Sequence, residues 1–205
     1  MLFRSRMTRR VLTYGTAAQA DVTATDIELG PMSVRATVHR RVVRDEDASE
    51  SRETLGRLEL RVPGHHNLLN ALAAIAAGLE LGVPFDRLVP GLQEFHGAER
   101  RFDVRGDING VLVVDDYGHH PTEIAAVLAA ARALQRRIIV AFQPHRYTRT
   151  LAQLSAFGPA LSGADLVVLT DIYAAGEDPI AGAGLADLAA AVRAACAGSV
   201  EVVAP

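Results

Sequence analysis

The sequence predicts an α/β protein in two parts: a strand-rich segment running into helices, then a doubly wound parallel unit. Three observations carry this. Up to about residue 62 the chain reads as strands and turns, with stretches that alternate apolar and polar residues. Pro63-Gly64 breaks that pattern, and Leu68–Leu81 is dense in Ala and Leu, the composition of a helix. From Arg100 onward, short apolar runs alternate with helical stretches long enough to link parallel strands.

Taken in order, Arg10-Val11-Leu12-Thr13-Tyr14-Gly15 is a short strand ending at Gly. Asp21–Leu29 and Met32–His39 alternate as half-buried antiparallel strands do. Arg44–Glu53 is charged and reads as a loop, and Leu58–Val62 as a strand. His66-Asn67 leads into the helix of Leu68–Leu81, which Gly82-Val83-Pro84 stops. Asp86 starts a short helix through Leu92, its side-chain oxygen suited to the open amides of a first turn. Phe95–Glu99, with Gly97, reads as a linker. Strands are expected near 102–105, 111–115, 137–142, 166–171 and 200–203, and helices near 121–134, 149–162 and 184–197. These strands lack alternation, as strands buried on both faces do.

Composition narrows the function. All 21 cationic residues are Arg, and without a Lys no register of this chain forms a Walker A loop. Any phosphate-binding loop of that kind must come from elsewhere. A net charge of −3 gives no reason to expect nucleic acid, and the Arg-rich opening (Arg4, Arg6, Arg9, Arg10) reads as a solvated tail or edge strand. The lone Cys196 cannot form an internal disulfide, which with no signal-like N-terminus fits a reducing cytoplasm. Ala71–Leu81 is too short and too broken by Gly78 and Glu80 to span a membrane.

Two loops concentrate the polar chemistry. Asp115-Asp116-Tyr117-Gly118-His119-His120-Pro121-Thr122-Glu123 follows the apolar run Val111–Val114, and Pro121 suits the first turn of a helix. The cluster therefore sits at the carboxyl end of a strand, where open α/β sheets bind ligands. Gln143–Thr150 (QPHRYTRT) follows a second apolar run. There Arg146 and Arg149, at a helix start, suit a phosphate or carboxylate, with His145 beside them. Asp171–Glu177 closes a third strand and forms a further wall. Asn67 and Asn70 share one helix face and present amides matching an adenine edge, while Asn67 as a plain cap remains open. Glu99–Asp103 is either a solvated turn or a site for an Arg over a nucleotide. Asp115, Asp116, His119, His120 and His145 have metal-ligand chemistry. Only Glu177 and Asp178 could extend that set, and adjacent His119 and His120 point apart, so no metal site is assigned.

Gly64-His65-His66-Asn67-Leu68-Leu69-Asn70-Ala71 resembles the G-x-H-N-x-x-N-A segment of the Mur ligases, the ATP-dependent ligases that build the peptidoglycan stem peptide. Arg100-Arg101-Phe102 followed by Asp116 resembles their nucleotide-gripping Arg and Asp. DDYGHHPT (115–122), QPHRYTRT (143–150) and DIYAAGEDP (171–179) resemble the branch of that family that joins L-alanine to UDP-N-acetylmuramate. The resemblance implies that residues 1–98 are the end of a central ATP-binding domain and 99–205 a truncated, Rossmann-like C-terminal domain. It implies ATP and Mg2+, with the magnesium ligands and the UDP-sugar domain in other parts of a longer protein. It places Asn67 and Asn70 at the adenine, with Asn70 on the base edge. Arg101, Asp116 and Tyr117 fall at the nucleotide, Asp116 through ribose hydroxyls. His119, Arg146 and Arg149 face the reaction centre, supported by His145 and Tyr147, and orient the L-alanine carboxylate while offsetting charge on an acyl phosphate. His65 departs from the usual pattern and has no assigned role. With no phosphate-binding Lys, the chain on its own is expected to be inactive. The alternative is a non-catalytic nucleotide- or partner-binding module descended from such a ligase.

Overall fold

A computed structural model describes residues 11–43 and 50–203 of the chain. The Arg-rich opening (Arg4, Arg6, Arg9 and Arg10) and residues 44–49 of the charged segment lie outside the described residues. The chain divides into two compact units, Met1–Gly97 and Ala98–Pro205.

In the first unit, four strands lie side by side in chain order: β1 (Tyr14–Gly15), β2 (Val22–Leu29), β3 (Val34–Val43) and β4 (Glu50–Leu60). β1 runs parallel to β2, and the other pairings are antiparallel. One face is apolar by alternation: Val22, Ala24, Val34, Ala36, Val38, Leu58 and Leu60 are all buried. They pack under Leu68, Leu72 and Ile75 of helix α1 (His65–Glu80), with Phe85 and Leu88 of α2 (Phe85–Gln93) at the margin. Two expectations change here. Ser51–Glu53, read as part of a charged loop, belong to β4, where Glu53 pairs with Arg40 and Ser51 with Val42. Backbone pairing outweighs side-chain polarity there because Arg52 and Glu53 remain exposed. Asp86 does not cap α2: Pro84 holds the N-cap position without a side-chain bond, and Asp86 lies in the first turn.

The second unit has the expected α/β, Rossmann-like architecture. Strands β7 (Ile139–Phe142), β8 (Leu166–Leu169) and β9 (Ser199–Val202) form a parallel sheet in chain order. Helices α3 (Pro121–Arg132), α4 (Tyr147–Leu161) and α5 (Leu185–Ala195) pack side by side, with α4 in the middle. The core joins Ile124 and Leu128 of α3, Phe157 and Leu161 of α4, and Leu188 and Val192 of α5 to Phe142, Val167 and Leu169 of the sheet. Among the described residues, no helix is long and apolar enough to cross a membrane.

Two details depart from the sequence reading. The runs near 102–105 and 111–115 do not join the parallel sheet. They form an antiparallel hairpin, β5 (Asp103–Ile108) and β6 (Val111–Asp115). The turn is Asn109-Gly110 with φ of 52° and 81°, both in the left-handed region. An Asn-Gly pair is the strongest short-range hairpin signal because its positive φ values match the twist of the strands. Nor is the parallel sheet buried on both faces. Its burial alternates, with Phe142 buried under the helices and Ile139, at the start of the same strand, 57% exposed.

Gly158 lets α4 and α5 approach closely. A Cβ there would lie 2.8 Å from both the Ala191 carbonyl oxygen and the Ala195 Cβ. Gly158→Ala would gain about 0.5–1 kcal/mol of helix propensity. The collision with backbone outweighs that gain, since overpacking costs about 1–3 kcal/mol. The expected net loss of stability is read as a lower urea midpoint.

Candidate active site

The site residues of the second unit come from four stretches: the entry to β5 and the loops β6–α3, β7–α4 and β8–α5. A run of rings joins them. The Arg100 guanidinium lies 4.7 Å from the Tyr117 ring centroid. Tyr117 meets His119 edge-on at 5.4 Å, His119 lies 6.0 Å from His145, and His145 lies 5.4 Å from Tyr173.

The β6–α3 loop is organised by two carboxylates. Asp116 accepts the amides of Phe102 (2.8 Å) and Gly118 (2.6 Å), tying the β5 entry to the loop. A Cβ on Gly118 would sit 2.8 Å from the same carboxylate, so only Gly permits that approach. Glu123 accepts the amides of His119 (3.2 Å) and His120 (3.3 Å) and pairs with Arg101 at 3.3 Å. With His120 Nδ1 accepting from the Thr122 amide, Glu123 and His120 form a reciprocal cap on α3, which Pro121 opens. Burial works to raise the Glu123 carboxyl, but the two amides and Arg101 outweigh it and hold it below its ordinary value. The His119 Nδ1 lies 3.1 Å from the Tyr117 carbonyl, which can only accept, so Nδ1 carries a proton and donates it there.

The β7–α4 loop carries the cations. Arg146 stands at the N-cap of α4 with φ of 71°, a left-handed conformation that costs a non-glycine residue about 1–3 kcal/mol. Backbone bonds on both sides hold it. Its amide donates to the Tyr173 carbonyl (2.8 Å), and its carbonyl accepts from the Thr150 amide (3.1 Å) and hydroxyl (2.8 Å). Arg149 donates to His145 Nδ1 at 3.3 Å. Partial burial, then the charges of Arg149, Arg146 and His119, push the His145 imidazole below its ordinary value, against an opposing pull from Glu177. The same four groups therefore surround one neutral ring.

The structure thus brings His119, His145, Arg146 and Arg149 together, with Tyr117 adjoining through the His119 ring. Tyr147 is the first residue of α4. Asp116 and Arg101 are engaged within the protein, Asp116 by two backbone amides and Arg101 by Glu123. Asn67 and Asn70 belong to the first unit. Asn67 is not the N-cap of α1, which is Gly64 at φ 91°. Its amide nitrogen donates to the Pro63 carbonyl at 2.8 Å, and its oxygen receives a long 3.4 Å bond from Asn70, which is exposed. The sequence reading missed Glu123 as a loop organiser, although Pro121 followed by Glu at the third helical position signals it. It placed Tyr173 in a wall of the crevice and Arg100 in the nucleotide-gripping segment, with no separate contact for either.

Residues 100–204 match the family model described as Mur ligase, glutamate ligase domain. The chain belongs to the Mur ligase family. It is 51% identical over 187 residues to the UDP-N-acetylmuramate–L-alanine ligase of Anaeromyxobacter dehalogenans strain 2CP-C, covering 91% of this chain and 39% of that relative. It is 47% identical over 190 residues to the ligase of the same name from Geobacter sp. strain M21, covering 92% and 39%. Among solved structures, the UDP-N-acetylmuramate-alanine ligase of Thermotoga maritima superposes with a TM-score of 0.70 at 28% identity, covering 95% of this chain and 39% of that one. A murein peptide ligase from Psychrobacter arcticus gives a TM-score of 0.57 at 25% identity, covering 94% and 38%. This member of the Mur ligase family thus spans about 39% of the length of its curated relatives.

Two outcomes test this geometry. Asp116→Ala strands the amides of Phe102 and Gly118, and urea unfolding of the second unit should show a loss of about 1–3 kcal/mol. His145 should titrate below the ordinary histidine value of about 6.5 in an NMR pH series, and Arg149→Gln should raise its midpoint. Because the folded value is depressed, the stability linked to His145 is present above pH of about 6.5 and lost as pH falls through the folded value.

Proposed function

We propose that this chain is part of an ATP-dependent ligase that joins L-alanine to UDP-N-acetylmuramate in making peptidoglycan precursors in the cytoplasm. In this reading residues 1–98 are the end of the central ATP-binding domain and residues 99–205 the C-terminal domain. The observation that carries it is the Arg146–Arg149–His119–His145 cluster, in a chain half identical to relatives of that name.

The reaction has two steps. The γ-phosphoryl group of ATP passes to the carboxylate of UDP-N-acetylmuramate, giving an acyl phosphate and ADP. The amine of L-alanine then attacks the acyl carbon, an amide forms, phosphate leaves and one proton is released. Activation is required because a carboxylate resists nucleophiles. Arg149 and Arg146 bind the L-alanine carboxylate and offset charge on the acyl phosphate, which guanidinium groups do through paired donors. Neutral His145 holds Arg149 through Nδ1 without adding charge. His119, its Nδ1 proton committed to the Tyr117 carbonyl, presents Nε2 to the proton that the attacking amine must lose. Tyr117, Arg101 and Asp116 border the nucleotide. Since both Asp116 oxygens already accept backbone amides, any ribose hydroxyl takes a remaining lone pair. Asn70, whose amide is exposed, takes the adenine edge, with Asn67 behind it.

The magnesium implied by this reading takes its ligands from other parts of the longer ligase. Among the described residues, no group of three or more His, Cys, Asp or Glu side chains is arranged to hold a metal ion, so no step is routed through one here.

The chain alone should release no phosphate when given ATP, UDP-N-acetylmuramate and L-alanine, because it contains no Lys for the phosphates. The reading itself is tested by exchanging the matching portion of the Anaeromyxobacter ligase for this chain. The chimera should release phosphate only when both UDP-N-acetylmuramate and L-alanine are present. Arg149→Ala in the chimera should raise KM for L-alanine about 10- to 100-fold, as loss of a hydrogen bond to a charged group does. Nucleotide binding with no dependence on L-alanine would instead favour a non-catalytic module.

A further inference from the structure

The start of α4 has no local cap. Arg146 makes no side-chain bond at the N-cap position, and the first turn contains no acidic residue. Its acceptor comes from 29 residues away, in the β8–α5 loop. One Glu177 oxygen accepts the Thr148 amide at 3.0 Å, and the other accepts the Thr148 hydroxyl at 2.7 Å. The same loop adds backbone contacts. The Tyr173 amide donates to the Pro144 carbonyl at 2.8 Å, the Arg146 amide donates to the Tyr173 carbonyl at 2.8 Å, and His145 and Tyr173 form a parallel bridge. These bonds flank His145, Arg146 and Arg149. Within α4, Thr150 holds only the Arg146 carbonyl, and the first turn from which Arg149 projects has no acidic cap of its own.

We propose that Glu177 is a positioning residue for the anion site: its carboxylate caps α4 from the neighbouring loop and fixes the aim of Arg149 and His145. This rests on the reading of that cluster as a site for a carboxylate or phosphoryl group. It makes a counter-intuitive demand. Glu177 is an anion beside an anion site, and the hydrogen bonds it accepts from the Thr148 amide and hydroxyl hold its carboxyl below the ordinary glutamate value. If it were only a neighbouring negative charge, removing it would tighten anion binding. If it positions the cations, removing it loosens binding despite the favourable change in charge.

The test titrates inorganic phosphate into the full 205-residue chain, reading the His145 ring and Arg149 side-chain resonances by NMR. Glu177→Ala removes both charge and acceptor, whereas Glu177→Gln keeps an acceptor and removes only charge. The expected result is phosphate binding weakened about fivefold or more in Glu177→Ala, and binding at least as tight as wild type in Glu177→Gln. Equal or tighter binding by both variants overturns the proposal. If Glu177→Ala fails to fold, Glu177→Asp replaces it, its carboxylate one methylene short. Weakened binding then supports the proposal, and wild-type affinity overturns it. If wild type itself gives no saturable response to phosphate, the anion-site reading fails separately. The Thr148 amide then decides the role of Glu177. Exchange about tenfold faster in Glu177→Ala but not in Glu177→Gln, with a displaced His145 ring resonance, upholds positioning, and unchanged exchange and resonance overturn it.

Discussion

Every helix begins with amides that have no partner inside it, and in the second unit the groups that satisfy them also shape the site. Glu123 caps α3 while fixing the amides of His119 and His120. Asp187 accepts the Gly184 amide at the start of α5. At α4, the helix that carries the arginines, the carboxylate is borrowed from another loop. The loops are therefore not decorations on a finished scaffold. The same bonds that complete the helices hold the chemical groups in place.

This division of labour explains the charge pattern. Of the acids near the site, Asp116, Glu123 and Glu177 are each committed to backbone amides, and Asp115 pairs with Arg100 and Arg105. The imidazoles of His119, His120 and His145 are bonded within the protein through Nδ1. What remains to meet a ligand is cationic: Arg146 and Arg149, with neutral His145 beside them. A cluster with the composition of a metal site is thus turned by its hydrogen bonds toward anions. A proton added to His145 would break its bond with Arg149 and crowd three cations together, which is why its neighbours disfavour that form.

Several strained residues lie at the site, beside others at Asp26, Asn109 and Gln135 outside it. Arg100, Phe102, Arg146 and Ala175 all take positive φ without being glycine. For Arg146 and Phe102 the compensating bonds are identifiable, to Tyr173 and Thr150 in one case and to Asp116 in the other. These side chains are set by contacts between segments rather than by local preference.

Much of this was legible in the residues themselves. The apolar runs marked the strands, Pro121 marked the start of α3, and the polar clusters fell on strand-to-helix loops, because periodicity and first-turn chemistry act over a few residues. Asn109-Gly110 was equally legible, and the hairpin it makes was overlooked in favour of a parallel reading. Other features have no local signal. Ser51–Glu53 is a strand only because β3 lies beside it, and the parallel sheet leaves Ile139 exposed only because its helices pack on one face. Asp116 is drawn to the Phe102 amide, and α4 is capped by Glu177, only once distant segments meet. The sequence by itself determined which residues could be strand, helix and charged loop, because those preferences are local. Only the tertiary structure decided which carboxylate satisfies which amide, because a hydrogen bond depends on distance in space and not along the chain.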